Sequence, residues 1–263
     1  MKYKKNNEDN LILPAEHGPF HIIGDVHGCF GELCNLLQKL DYAIAEDSLK
    51  GEFRVVPPAG YKTIFVGDLV DRGPDSPNVL RLVMHMVQQG IALCVIGNHD
   101  EKLVRKLNGA NVHIRHGLEL TLEQLAAFPD KEFVEQVRQF LSELPHHIIL
   151  DNGRLVVAHA GLPGEHHGSS GRKVRALCLY GPTNGCLDEH GLPVRLDWAA
   201  EYEGHAVVVY GHTPVREPRL LNNTINIDTG CVFGGKLTAL TYPDNILTSV
   251  GALQEYAAST RPF

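Results

Sequence analysis

The sequence predicts an α/β fold built as one large domain, and three features predict it. Short apolar, β-branched runs alternate with stretches of helical periodicity through the first half of the chain. Each early run ends in a glycine-bearing polar motif, as expected where the carboxyl ends of strands deliver functional loops. At 263 residues, 43% of them hydrophobic and 21% charged, the chain is long enough to bury a substantial core.

Taken in order, residues 1–19 read as a flexible N-terminal extension, basic and then polar, in which Leu11-Ile12-Leu13 is too short an apolar run for a secretory signal. His21-Ile22-Ile23 is a short strand, and Gly24 begins a loop. From Phe30 to Leu40, the positions Leu33, Leu36, Leu37 and Leu40 keep helical spacing. Thr63-Ile64-Phe65-Val66 is a second strand, ending at Gly67. Pro77-Asn78-Val79 opens a second helix with Leu80, Val83, Met84 and Val87 on one face, and Ser76 stands as its cap before a proline in the first turn. Ile91 to Ile96 is a continuous apolar run, the pattern of a strand buried on both faces. Residues 118–143 carry two helical stripes divided at Pro129: Leu118, Leu122, Leu125 and Ala126, then Phe133, Val137, Phe140 and Leu141. The second half turns to short β-branched segments at 147–150, 154–158, 206–210, 224–227 and 236–241, with Asp151-Asn152-Gly153 as a hairpin turn between the first two. Pro163 to Glu203 is polar and rich in Gly and Pro, an insertion expected to frame a substrate. No repeat or linker divides the chain, so residues 20–263 are assigned to a single domain.

Composition narrows the partners. A net charge of −7 does not favour broad binding to a nucleic-acid backbone or to a membrane surface. No stretch approaches the ~18 apolar residues of a membrane span. A cytoplasmic protein is expected. The cysteines at 29, 34, 94, 178, 186 and 231 form neither a C-x-x-C pair nor a disulfide framework, so buried reduced thiols are expected. Cys29 and Cys231 follow glycine-rich motifs and are expected on the wall of the site, not as nucleophiles.

Five motifs carry the chemistry: Gly24-Asp25-Val26-His27-Gly28, Gly67-Asp68-Leu69-Val70-Asp71-Arg72-Gly73, Gly97-Asn98-His99-Asp100, His159-Ala160-Gly161 and Gly211-His212-Thr213. Each alone is weak; a lone G-D-x-H-G is often a turn with a capping Asp and a surface His. Together they offer carboxylate, imidazole and amide oxygen, a ligand set suited to two adjacent divalent ions of the Mn, Fe or Zn kind. Such a pair needs one carboxylate able to bridge ions about 3.5–4 Å apart. Asp25 and His27 flank one residue and can point into one pocket. The glycines beside the donors let the backbone turn tightly.

In this order the five motifs resemble the signature of the calcineurin-like phosphoprotein-phosphatase superfamily. From about residue 20 to the C-terminus the chain also resembles the bacterial PrpE-type bis(5'-nucleosyl)-tetraphosphatases and the phosphatase domain of bacterial polynucleotide kinase-phosphatase. The segments that carry this run from Ala92 to Asp100, His116 to Glu119, Val208 to Val215 and Thr224 to Gly234. The resemblance implies two mixed β-sheets packed face to face and flanked by helices. It implies that Asp25, His27 and Asp68 hold one ion and Asp68, Asn98, His159 and His212 the other. Two divalent ions are expected, manganese first, with Fe, Ni, Co or Zn as the others. Arg72 would clamp a phosphate oxygen, and an activated water would attack. His99, oriented by Asp71, would protonate the leaving oxygen.

Other features are weighed against plainer readings. Arg172, Lys173 and Arg175 in the insertion either bind the phosphate chain of the substrate or form a solvated basic patch. The family commonly has Leu-Tyr-Gly-Asp just beyond, where this chain has Leu179-Tyr180-Gly181-Pro182. Asp228 either supports a metal-bound histidine from behind or caps a turn. Gly230 to Lys236 fits a phosphate-binding loop until Leu237, which stands where Ser or Thr is needed, and a strand follows instead of a helix; the kinase loop is rejected. His113 with His116, and Glu165-His166-His167, read as solvated polar loops. Trp198 and Tyr202 read as packing, with stacking on a nucleobase unsupported.

The expected activity is metal-dependent asymmetric hydrolysis of a dinucleoside tetraphosphate, such as diadenosine tetraphosphate, to ATP and AMP. The rival enzyme reading is a phosphomonoesterase acting on phospho-Ser/Thr proteins or on RNA ends and 2',3'-cyclic phosphates. A non-catalytic binding protein on this scaffold would be expected to have lost ligands or His99, and none is missing.

Overall fold

The period-two alternation of short strands sorts their side chains onto two faces, and that sorting builds the molecule. The structure is a computed structural model describing residues 10–47, 52–130 and 132–261. The first elements are β1 (Asn10–Leu13), β2 (Phe20–Ile23), α1 (Phe30–Lys39), β3 (Ala43–Asp47), β4 (Glu52–Val56), β5 (Lys62–Phe65), α2 (Ser76–Gln88) and β6 (Ala92–Cys94). Then follow α3 (Asn98–Leu107), α4 (Leu118–Ala127), α5 (Phe133–Glu143), β7 (His147–Leu150), β8 (Leu155–Ala158) and α6 (Arg172–Tyr180). The last are β9 (Thr183–Leu187), β10 (Pro193–Arg195), β11 (Val207–Tyr210), β12 (Arg219–Leu221), β13 (Thr224–Asn226), β14 (Lys236–Tyr242) and β15 (Ile246–Gly251).

Two mixed sheets result, ordered β15-β14-β2-β5-β6 and β1-β7-β8-β11-β13-β12. Between them lies one apolar layer. Ile22, Ile64, Leu93 and Leu240 of the first sheet meet Ile148, Leu155, Val157 and Val209 of the second. The next residue along each strand of the first sheet points the other way. Ile23, Phe65 and Cys94 pack under the helices, against Leu33, Leu36, Leu37, Leu80 and Val83. Fully burying a side chain of this size contributes about 1.5–3 kcal/mol. The outer face of the second sheet is covered by α6, through Val174 and Cys178 on Ala158, and by the Trp198–Tyr202 segment on Val156 and Val208. The α/β class and the face-to-face sheets expected from sequence are therefore what the chain forms.

Three expectations are corrected. The folded part begins before residue 20: β1 pairs in parallel with β7, Leu11 is buried between the sheets, and Asn10 donates to the carbonyls of Gly168 and Ser169. The partner strand lies far along the chain, so a four-residue strand leaves no local signal. Residues 1–9, the rest of the expected extension, lie outside the described residues. The cap of α2 is Asp75, which accepts from Asn78 N at 3.1 Å, while Ser76 is the first residue of the helix itself. The strand expected over 91–96 is confined to β6, and Asn98 begins a helix.

The parallel strands β2, β5 and β6 of one sheet, and β8 and β11 of the other, all run toward the same edge. The five motifs follow those five strands.

Candidate metal centre and active site

Asp68, just past β5, is the hub. Its Oδ2 lies 3.5 Å from His27 Nε2 and 3.4 Å from His159 Nε2, and its Oδ1 accepts from His99 N at 2.9 Å. Around it two donor groups form: Asp68 with His27 and His99, and Asp68 with His159 and His212. Asn98 joins the second, its Oδ1 2.9 Å from His159 Nε2, and His212 Nδ1 is 3.1 Å from that same nitrogen. Asp25 sits alongside, its two oxygens accepting from His212 N at 3.3 and 3.1 Å.

The proton inventory shows what the cluster lacks. His159 Nδ1 donates to Val66 O at 3.0 Å, and His27 Nδ1 donates to Val70 O at 2.8 Å. In the neutral rings each Nε2 is then a bare acceptor. His159 Nε2 faces the Asp68 carboxylate and the Asn98 oxygen, which are acceptors too. Burial is the first cause holding His159 down to about 4, and it holds His27 and His212 well below the ordinary imidazole value. Burial likewise raises Asp68 to about 7, and raises Asp25 strongly with Asp228 and Asp68 adding to it. Neutral imidazoles and crowded carboxylates with inward lone pairs need positive charge. Divalent cations fit this donor set.

The backbone is bent to make these approaches. His27, Asp68, Asp71, Arg72 and His212 all take positive φ, where non-glycine residues are strained. Gly97 and Gly211 are required by proximity: a Cβ on Gly211 would lie 1.9 Å from Asp25 Oδ1, and one on Gly97 2.2 Å from Asp68 Oδ1.

Beside the donors is a His–Asp pair. His99 Nδ1 contacts Asp71 Oδ2 at 2.6 Å, and Asp71 Oδ1 accepts from Thr121 Oγ1 at 2.8 Å. Burial raises Asp71 to about 7, while burial and then Arg72 push His99 well down. The pair can hold one proton between them near neutrality. Arg72 Nη1 donates to His27 Nε2 at 2.8 Å, and its guanidinium lies 5.2 Å over the Phe233 ring.

Of these groups, His27, Asp68, Arg72, Asn98, His99 and His212 line a cavity of about 320 Å³ that also takes in His116, Tyr180, Arg195, Asp228 and Arg261. The expected ligands and the catalytic trio His99, Asp71 and Arg72 thus come together. The expected phosphate-binding trio does not. Arg172, Lys173 and Arg175 lie in the first turn of α6 and off the cavity wall, while the helix meets the cavity at Tyr180, about 7–12 Å farther along its axis. Arg175 turns to His146 and Glu101. Besides Arg72, the arginines on the wall are Arg195, which donates to Thr213 Oγ1 at 2.6 Å, and Arg261, held by Asp188. Arg195 ends the short strand β10 and Arg261 lies in the irregular stretch after β15, and neither sits in a recognisable motif. The insertion does frame the cavity, through Tyr180, Thr183 and Arg195.

Asp228 lines the cavity, but its Oδ1 caps the local turn by accepting from Gly230 N at 3.0 Å. No hydrogen bond links it to a ligand histidine among the described residues. Cys29 and Cys231 are not on the cavity wall; they are buried behind it beside Glu32. His116 reaches the cavity as a lone imidazole. Thr121, which fixes Asp71, was missed because a threonine inside an apolar helical stripe carries no signal of its own.

Comparison with known proteins agrees with this geometry. Residues 18–216 match the calcineurin-like phosphoesterase family. The bis(5'-nucleosyl)-tetraphosphatase (asymmetrical) PrpE of Anoxybacillus flavithermus is 48% identical over 93% of this chain and 99% of its own. Its Bacillus subtilis counterpart is 44% identical over 91% and 97%. A crystal structure assigned to a diadenosine tetraphosphatase superposes with a TM-score of 0.65 at 28% identity, covering 94% of this chain and 99% of that one. A protein serine/threonine phosphatase from Saccharomyces cerevisiae shares the fold, with a TM-score of 0.61 at 15% identity over 93% of this chain and 82% of its own.

Proposed function

Because this chain belongs to the calcineurin-like phosphoesterase family, we propose that it hydrolyses dinucleoside tetraphosphates asymmetrically, to a nucleoside triphosphate and a nucleoside monophosphate. The observation that carries the chemistry is Asp68 set almost equally from His27 Nε2 and His159 Nε2. The substrate rests on the near-full-length likeness to the bis(5'-nucleosyl)-tetraphosphatases.

Asp25, His27 and Asp68 would hold one divalent ion, and Asp68, Asn98, His159 and His212 a second, with manganese our first choice. When bound, such ions supply Lewis-acid charge to the phosphoryl oxygens and lower the pKa of water. The chain's own residues do the rest. Arg72, whose Nη1 donates to His27 Nε2 at 2.8 Å, would be freed when that nitrogen ligates, and its planar fork is matched to a phosphate oxygen. Water adds to the phosphorus in line with the bridging oxygen, losing a proton to solvent, and that P–O bond breaks. His99 transfers its proton to the departing oxygen while Asp71 holds the ring from the other nitrogen. Arg195, which lines the same cavity, adds positive charge.

The test is a comparison of kcat/KM for manganese-loaded protein on diadenosine tetraphosphate, a phosphothreonine peptide and a 2',3'-cyclic nucleotide. The proposal expects the tetraphosphate to be preferred by at least an order of magnitude. Preference for the peptide or the cyclic nucleotide would replace the substrate while leaving the metal centre standing.

A further inference from the structure

A second cavity, of about 210 Å³, opens directly off the first and shares Tyr180, Arg195, His212 and Thr213 with it. Its character differs. Pro182, Leu196, Trp198 and Tyr210 make its walls mainly apolar and aromatic. Its further cation, Arg219, is tied to Asp197 by two hydrogen bonds of 2.8 and 2.7 Å, so the pair adds little net charge. The first cavity, by contrast, is lined by His27, Asp68 and Asn98 together with Arg72 and His116.

Trp198 is built into this wall. Its ring lies 5.1 Å from that of Tyr210 and packs on Gly161, where a Cβ would come within 2.0 Å of Cζ2. Gly161 is two residues beyond His159. The aromatic end is therefore anchored to the same loop as a proposed metal ligand, and the cavity begins at another, His212.

An asymmetrically cleaved dinucleoside tetraphosphate has unequal arms. One nucleoside is a single phosphate from the reacting phosphoanhydride; the other is three phosphates away. A compact, mainly apolar and aromatic cavity that begins at the metal ligand His212 suits a base on the short arm. The larger cavity with Arg72 suits the long, anionic one. Building on the substrate reading above, we propose that the second cavity binds the nucleoside of the monophosphate arm, with Trp198 and Tyr210 as its base-binding wall, and that this division fixes which phosphoanhydride is cut.

The test uses the metal-loaded enzyme and measures inhibition constants of AMP and ATP separately against diadenosine tetraphosphate hydrolysis. Loss of one aromatic partner weakens base binding by about fivefold or more. Trp198→Ala should raise the AMP constant by that factor and leave the ATP constant within about twofold. Because Trp198 also packs on Gly161, Leu196→Asp is the second variant: Leu196 is 50% exposed, and a carboxylate there disfavours a bound monophosphate without opening the core. It should show the same selective loss. A rise in the ATP constant alone, equal rises in both, or no change in either overturns the assignment. A wild-type enzyme that forms no AMP from diadenosine tetraphosphate defeats the substrate reading itself, which is a separate failure.

Discussion

His99→Ala separates proton transfer from metal binding. His99 is buried, its Nδ1 is 2.6 Å from Asp71, and its ring stands edge-on to His27 at 4.8 Å. As the proton donor it should be worth the usual factor for general acid catalysis, about 10²–10⁴, or about 2.7–5.4 kcal/mol of barrier. The loss should track the leaving group. An alkyl phosphomonoester should show the full loss, and para-nitrophenyl phosphate, whose leaving oxygen needs little help, less than about tenfold. Asp71→Asn should fall between, since the amide oxygen, placed by Thr121, can still accept from the ring. His99 also lies within ligand distance of His27 and Asp68, so metal content is the second measurement. Two ions per chain by mass spectrometry, as in the wild type, support the acid. Loss of an ion would make His99 a ligand, and full activity on the alkyl ester would refute the proton role outright.

Asp68→Ala should empty both sites, because both donor groups share that carboxylate; one ion retained at normal affinity would disprove the bridge. Gly211→Ala places a methyl 1.9 Å from Asp25 Oδ1, so thermal stability should drop, in line with an overpacking cost of about 1–3 kcal/mol, together with metal affinity; unchanged melting and metal content would show that the loop tolerates the shift. For metal-free protein, Asp68 and Asp71 are raised from 3.8 to about 7, so the fold binds more protons than the unfolded chain up to that pH and loses this stability as pH rises through 7. His159, lowered from 6.5 to about 4, has the opposite sign but acts only below 6.5. Melting temperature of the chelated protein should therefore fall between about pH 6.5 and 8, and added manganese should restore more of it at the upper end, where the ligands are deprotonated. A melting temperature that rises over this window, or a larger metal effect at its acid end, would contradict the assignment.

What the sequence made readable follows from range. Strand β2 and helix α1 rest on local periodicity, and the ligands sit in short motifs at strand ends, so both were visible. The paired sheets were not visible in periodicity and came from family likeness. The parallel partnership of β1 with β7 joins residues more than a hundred positions apart and leaves no local trace. Helix α3 was missed because it opens on Asn98 itself: Asp100 accepts from Gly97 N at 3.0 Å and from Leu69 N at 2.9 Å, so a motif read as a loop is also a helix start. The basic run at Arg172 stands out by composition, yet beyond Arg72 the arginines that reach the site are Arg195, at the end of the three-residue strand β10, and Arg261. Charge density in sequence says little about which side chain the fold turns inward.

The most direct test of the whole account is chromatography of the products from diadenosine tetraphosphate and manganese-loaded protein under initial-rate conditions. The account predicts ATP and AMP in equal amounts, abolished by Asp68→Ala. Formation of ADP alone, or an intact substrate, would contradict it.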